Sequence, residues 1–381
     1  MLRQTTRHVQ TSWNAPMSDA DLSPVGDHFI IGLRPGTTLD DRDRALLGDL
    51  RPGGVILFKN NFVHGAPYDQ WLEVHAKLVD SIRRAAGRDR IFIAIDHEGG
   101  RVCRTPPPIT RYASAAWWGE TAREVGEGMG RELASLGLNL NFAPVLDINS
   151  NPANPVIGER AFGRTPEEVI SAALPFIEGM ETHGVMACGK HFPGHGDTKV
   201  DSHYELPVLD LSPEELKARE LKPFVAAIRA SIEMIMTSHI VFAAIDKENP
   251  ATLSRRLTHD LLRSKCGFNG VIVSDDVGMH AMDGLLGAPD SALRFLAAGN
   301  DMMMITSHWT DTERARVFAR SLLTGRQSGL IDEAALDEAR DRVRLMLSKT
   351  PQNAVQALSD DDFEKHRAAG PLFSGATVNV V

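Results

Sequence analysis

Eight short apolar runs recur along this chain, each followed by a longer stretch of helical spacing, and that alternation limits the fold more than any other feature. The runs are "HFIIGL" (28–33), "GGVILF" (53–58), "IFIAID" (91–96), "LNLNFAPVLDI" (138–148), "VMACGKHF" (185–192), "MIMTSHIVF" (234–242), "GVIVSDD" (270–276) and "DMMMIT" (301–306). Several are apolar at every position, which suits parallel strands covered by helices on both faces. Between them, "TPEEVISAALPFIEGMETHG" starts at the N-cap Thr165 and stops near Gly184. "SPEELKARELKPFVAAIRASI" opens with Ser212 as cap, Pro213 in the first turn and Glu215 in capping-box position. "DSALRFLAAGND" ends in a glycine just before the last strand. Eight such units predict an α/β fold, a single-domain (β/α)8 barrel of the TIM type. The rival, a doubly wound open sheet, wants a Gly-rich phosphate turn after the first strand, and "GLRPGTT" does not supply one. Residues 1–25 read as a polar extension with Met17 as an alternative start, 26–350 as the barrel and 351–381 as a C-terminal appendage.

Composition excludes several partners. The formal charge is −9, against the basic balance of a general nucleic-acid binder. The three cysteines, Cys103, Cys188 and Cys266, form neither a CxxC pair nor a disulfide framework, which fits a reducing compartment. No apolar run approaches the roughly 20 residues of a membrane span, and the N-terminal stretch lacks the apolar core of a signal peptide. A cytoplasmic protein with no membrane partner is expected.

A barrel places its chemistry where strands end and βα loops begin. The third strand ends in Asp96, His97, Glu98 and Arg101; the fourth leads to Asp147, Glu159 and Arg160. The fifth runs into "KHFPGHGDTKVDSH" (190–203), the sixth gives His239, the seventh Asp275 and Asp276, and the eighth Thr306, Ser307 and His308. Any one of these is accounted for equally by capping or loop bracing. Together, at one rim, so many ionisable groups point to a catalytic pocket.

Three chemistries compete for it. A zinc site could draw on His191, His195, Asp197 and His203, but a Pro-Gly turn separates the first two and Lys190 adds a repelling cation. A serine nucleophile lacks the GxSxG elbow. Glycosidic cleavage needs a carboxylate beneath the anomeric carbon and a proton donor at the leaving oxygen. Asp275 or Asp276 supplies the first, because adjacent strand residues face opposite ways and only one of them reaches the pocket. Arg101, Arg160, Lys190 and His191 offer donors to sugar hydroxyls. Trp117 and Trp118 could form an apolar platform or pack a helix.

"GGVILFKNN", "IDHEGGRVCR", "NFAPVLDI", "IGERAFG", "KHFPGHGDTKVDSH", "MTSHIVF", "NPATLS" and "GFNGVIVSDDVGM" occur in one order over roughly residues 28 to 310. In these motifs the chain resembles the single-domain β-N-acetylglucosaminidases of glycoside hydrolase family 3. The resemblance implies an exo-acting, retaining hydrolase that works through a covalent glycosyl-enzyme. The family's nucleophile matches Asp275 and its acid/base matches His203, paired with Asp201. Its sugar-binding positions match Asp96, Arg160, Lys190 and His191; Arg101 and His195 follow, with loop bracing as their alternative. It implies no metal or other cofactor. Its substrates would be small carbohydrates, either N-acetylglucosaminyl muropeptides of peptidoglycan recycling or chito-oligosaccharides, and its state a monomer or homodimer. A histidine near pKa 6.5 exists in both forms around neutrality, and an aspartate beside it stabilises the charged form. Because the base is neutral, phosphorolysis is an alternative to hydrolysis; a β-glucosidase of the same family and a non-catalytic sugar-binding barrel are others. The chain departs from the commonest pattern at His97, where glutamine is frequent, and at Gly278, where "SDDVGM" replaces "SDDLSM".

Overall fold

The structure, a computed structural model, describes residues 21–199, 206–279, 282, 285, 290–306 and 313–374. All eight apolar runs contribute strands to one closed parallel barrel. In chain order these are β1 (Phe29–Gly32), β2 (Gly54–Leu57), β3 (Phe92–Ile95), β4 (Leu140–Asn141) and β5 (Met186–Phe192). After the two-residue β6 (Val208–Leu209) come β7 (Met234–Thr237), the equally short β8 (Val241–Phe242), β9 (Val271–Asp276) and β10 (Met302–Ile305). The barrel closes where β1 pairs with β10, while β6 and β8 pair with each other outside it. Inside, Ile30, Ile56, Phe92, Leu140, Met186, Met234, Val271 and Met302 pack into one apolar cluster. This is the expected (β/α)8 fold.

The outer layer comprises α1 (Asp41–Leu50), α2 (Tyr68–Ala86), α3 (Ala122–Ser135) and α4 (Pro166–Glu181). It continues through α5 (Pro213–Ala218), α6 (Leu221–Arg229), α7 (Arg256–Lys265), α8 (Ser291–Ala297) and α9 (Arg314–Gln327). Thr165 caps α4 and Ser212 caps α5, each in a capping box with the glutamate three residues on. α3 and α4 pack unusually closely, because glycines remove the side chains between them. A Cβ on Gly130 would stand 2.5 Å from the Met180 carbonyl oxygen.

Three elements differ from the sequence expectation. The run from Ser212 is two helices rather than one: Pro223 has no N–H for the carbonyl of Arg219, and the chain breaks there at φ −125°, ψ −74°. The fourth run forms only two strand residues, because Pro144 cannot donate to the ladder. The sixth leaves the barrel at Ser238, and its last residues pair with β6 instead.

α10 (Glu333–Lys349) lies across the N-terminal ends of the strands. Its Val343, Met346 and Leu347 join the barrel-interior cluster. Asp301, just before β10, bridges Arg263 and Arg342; Asp27, just before β1, bridges Arg88 and Arg344. The chain then passes beneath β3 and β4, where Gln352 accepts from Ile91 N and Pro351 O accepts from Asn139 Nδ2. α11 (Asp360–Ala368) docks on α3 through His366, whose Nδ1 meets Glu132 at 2.8 Å. At the other terminus, Leu22 and Val25 are buried against β1 and α1. No described helix is long and apolar enough to cross a membrane.

Candidate active site

With one end stoppered, the opposite mouth is where strand-end side chains converge. Asn141, the last residue of β4, grips the backbone beyond β3: its Oδ1 accepts from His97 N and its Nδ2 donates to His97 O, both at 2.9 Å. That clamp holds Asp96 and Glu98 on either side. Lys190 Nζ donates to Asp96 at 2.8 Å and to Glu98 at 2.6 Å, and Arg160 clasps the same Glu98 through two N–H groups at 2.7 and 2.8 Å. Burial alone would raise the Glu98 pKa, but Arg160 and Lys190 outweigh it and hold the carboxyl well below the usual range. Burial would likewise discharge Lys190 and Arg160, and the facing carboxylates keep both protonated. Asp96 retains 18% exposure against 4% for Lys190, so the solvent-facing member of the network is a carboxylate.

Lys190 and His191 are neighbours in β5, yet both reach the mouth. The ladder to β7 shifts between Gly189 and Phe192, with an extra residue on β5. Such a bulge breaks the alternation of a strand and re-aims its side chains. Asp147 gathers the second half of the motif. It accepts from His191 N at 3.1 Å, from His191 Nδ1 at 2.7 Å and from His195 N at 2.7 Å. With Nδ1 committed, any bond from His191 to a ligand must run through Nε2. His195, buried and beside His191, is pushed down to about 4 and stays neutral, with Nδ1 2.9 Å from the Thr198 hydroxyl. Asn154 secures this loop by donating to the His195 and Gly196 carbonyls.

At the end of β9 the two aspartates divide. Asp276 accepts from Gly278 N and Thr306 N at 2.9 Å each, and from the Thr306 hydroxyl. It therefore ties β9 to β10, and its burial raises its pKa. Asp275 accepts from Asp276 N at 2.7 Å. Burial raises the pKa of the Cys188 thiol inside the barrel, and the charges of Lys190, Asp96 and Asp275 are near enough to act on it. His239, neutral through burial, stands at the same mouth, with Nδ1 2.8 Å from Thr252 Oγ1 and Nε2 3.0 Å from Asp276 O. A shift in the β9–β10 register between Met302 and Met304 accompanies the division.

The structure thus brings Asp96, Arg160 and Lys190 into one ionic network with His191 next in the strand, and Asp275 stands at the end of β9. Arg101 is exposed on the rim and donates to the Val156 carbonyl that Arg160 also reaches. Asp201 and His203 lie outside the described residues. Among the described residues no group of three His, Cys, Asp or Glu side chains is disposed to hold a metal ion, and the Lys190 ammonium already sits between Asp96 and Glu98. Reading the sequence left Glu98 and Asp147 without roles, although both occur in the quoted motifs. Thr306 stands in the sequence only as one more polar strand end, and Asn141 carries no distinguishing signal.

A closed parallel barrel with a buried, charged cluster at its C-terminal mouth is the architecture of the (β/α)8 barrel enzymes. Residues 29–346 match the glycosyl hydrolase family 3 N terminal domain, and the chain belongs to that family. It is 32% identical over 347 residues to the beta-hexosaminidase A of Pseudoalteromonas piscicida, covering 84% of this chain but only 57% of that protein. It is 33% identical over 351 residues to the beta-hexosaminidase of Chromobacterium violaceum, covering 88% of this chain and 95% of the other. A solved family 3 beta-N-acetylglucosaminidase from Paenibacillus sp. superposes with a TM-score of 0.83 at 32% identity, over 92% of this chain and 68% of that one.

Proposed function

We propose that the protein is an exo-acting, retaining β-N-acetylglucosaminidase in which Asp275 is the nucleophile and His203, paired with Asp201, is the acid/base. The observation that carries this reading is the division of labour in β9. Asp276 is tied down by Thr306 and Gly278, which leaves Asp275 as the carboxylate of the pair available at the mouth where Asp96 and Lys190 pair. In the first step the Asp275 carboxylate attacks the anomeric carbon as His203 gives its proton to the leaving oxygen. In the second, the neutral imidazole takes a proton from water, which attacks the same carbon and frees Asp275. Asp96 and Arg160 hold sugar hydroxyls with Lys190 and His191, and Glu98 and Asp147 keep those donors aimed. Arg101 supports the rim. Terminal β-linked N-acetylglucosamine on cell-wall muropeptides, handled by a soluble protein inside the cell, is the substrate we favour; the beta-hexosaminidase names of the relatives support the sugar.

Trapping with a 2-fluoro or 5-fluoro N-acetylglucosaminyl reagent, followed by peptide mapping, tests sugar, retention and nucleophile together. The label is expected on Asp275, and Asp275→Ala should lower turnover of aryl N-acetyl-β-glucosaminides by about 10³-fold or more. A label on Asp276, or full activity in the variant, refutes the assignment.

A further inference from the structure

Outside the barrel, between α5–α6 and α7, lies a groove of about 1020 Å³, and none of its lining residues belongs to the charged mouth. That volume is at the upper end for small-ligand pockets, about 300–1,000 Å³. Leu216, Leu221, Val225 and Ile245 form an apolar floor. The rim carries five exposed cations, Lys217, Lys222, Arg229, Arg256 and Lys265, against two acids, Glu214 and Asp260. This local excess runs against a chain of net charge −9. Asp260 is engaged by His259 at 2.9 Å, and Lys222 by Glu167 at 3.2 Å. Among the described residues no carboxylate lies within ion-pair distance of Lys217, Arg229 or Lys265.

The wall formed by α7 is unusual, because its backbone is wound as a π-helix from Arg256 to Lys265. That winding takes more residues per turn than an α-helix, so Arg256 and Lys265 fall roughly two turns apart and on one side, with Leu261 between them, and all three line the groove. An α-helix would put Arg256 and Lys265 about two and a half turns apart, on opposite sides. The winding therefore builds a cation–apolar–cation stripe facing the floor. The apolar surface is also recessed. Among the described residues the large apolar side chains that stand exposed are Trp117, Val208, Val317, Leu330, Leu345 and Leu372, and none of them lines the groove. A recessed apolar slot suits a narrow chain entering it more than a flat surface pressed on it.

We propose that this groove binds single-chain amphiphilic anions, with the acyl chain along the floor and the carboxylate among Arg229, Arg256 and Lys265. The proposal is independent of the glycosidase reading. It is tested by calorimetric titration of the full chain with sodium dodecanoate below its micelle concentration, beside uncharged dodecyl maltoside and phosphatidylglycerol vesicles. Saturable one-to-one binding of dodecanoate is expected, at least tenfold tighter than the maltoside. Arg229→Gln/Lys265→Gln should weaken it tenfold or more by removing charge, and Val225→Trp similarly by filling the floor. Both variants should keep the parent melting temperature and glycosidase turnover. Absent dodecanoate binding, equal affinity for the maltoside, unchanged affinity in folded variants, or binding to the vesicles alone would each overturn it.

Discussion

At the scale of single residues, the mouth is organised by carboxylates that do not themselves meet a sugar in the proposed mechanism. Glu98 compensates two buried cations at once, Lys190 and Arg160. Glu98→Gln would leave Arg160 without its carboxylate partner and Lys190 with Asp96 alone. Removing one member of a buried ionic cluster costs about 3–5 kcal/mol, because the remaining charge stays desolvated. Urea unfolding should show a loss of that order, and KM for the N-acetylglucosaminide should rise more than kcat falls, since the donors are misaimed while Asp275 is untouched. Unchanged KM in a folded variant would rule out the positioning role. Glu98 also shows where the sequence stops being legible. Its motif drew notice to Asp96, but its partner Arg160 lies 62 residues away, and nothing local marks which of two carboxylates in "DHE" receives it. The pair in "SDD" was more legible: strand alternation allots one aspartate to the pocket and the other to bracing, and Thr306 and Gly278 hold Asp276.

At the scale of elements, the α3–α4 contact makes a prediction whose sign separates packing from propensity. An exposed mid-helix Gly→Ala substitution gains up to about 1 kcal/mol from helix propensity. At Gly130 the new Cβ would meet backbone, the Met180 carbonyl oxygen at 2.5 Å and Met180 Cα at 2.9 Å, which cannot swing aside. Gly130→Ala should therefore destabilise the protein by about 1–3 kcal/mol, read from the denaturation midpoint; stabilisation would show that the helices slide apart freely. The same elements mark what sequence reveals at this scale. Eight strands were visible because their buried stretches are dominated by apolar residues on both faces, with polar residues gathered at the strand ends. The split between α5 and α6 was signalled by Pro223, though the surrounding helical spacing masked it. The π-winding of α7 left no trace, since "RLTHDLLRSK" reads as helix whichever hydrogen-bond period it adopts.

At the scale of the whole molecule, buried ionisable groups pull stability in opposite directions with pH. Burial pushes His75 down to about 4, with Nε2 donating to the Leu136 carbonyl at 2.8 Å. Between pH 6.5 and 4 the unfolded chain takes up a proton there and the folded one does not, so stability falls as pH falls, by roughly 2 kcal/mol at pH 5. Glu220 is raised to about 7, chiefly by burial. The unfolded chain ionises it from about pH 4.5. The folded chain does so only near 7, so stability falls as pH rises through that window. The two effects offset each other in the parent. Single variants separate them: from pH 7 to 5, His75→Gln should gain roughly 2 kcal/mol relative to the parent, and Glu220→Gln should lose a similar margin. Parallel urea-midpoint curves for all three proteins would contradict the assignment.

The stopper formed by α10 bears on the order in which this barrel can be made. β1 pairs with β10, and the interior is sealed by Val343, Met346 and Leu347, so the first strand waits for the last strand to close the barrel and the lumen waits for α10. A chain emerging from the ribosome holds one edge of β1 unpaired until β10 has been made, and the apolar lumen open until residue 347 follows. Unpaired edges and exposed apolar surface are what chaperones and neighbouring chains seize. Synthesis rate and chaperone supply, more than the final stability of the barrel, would then set how much of this protein reaches its closed form.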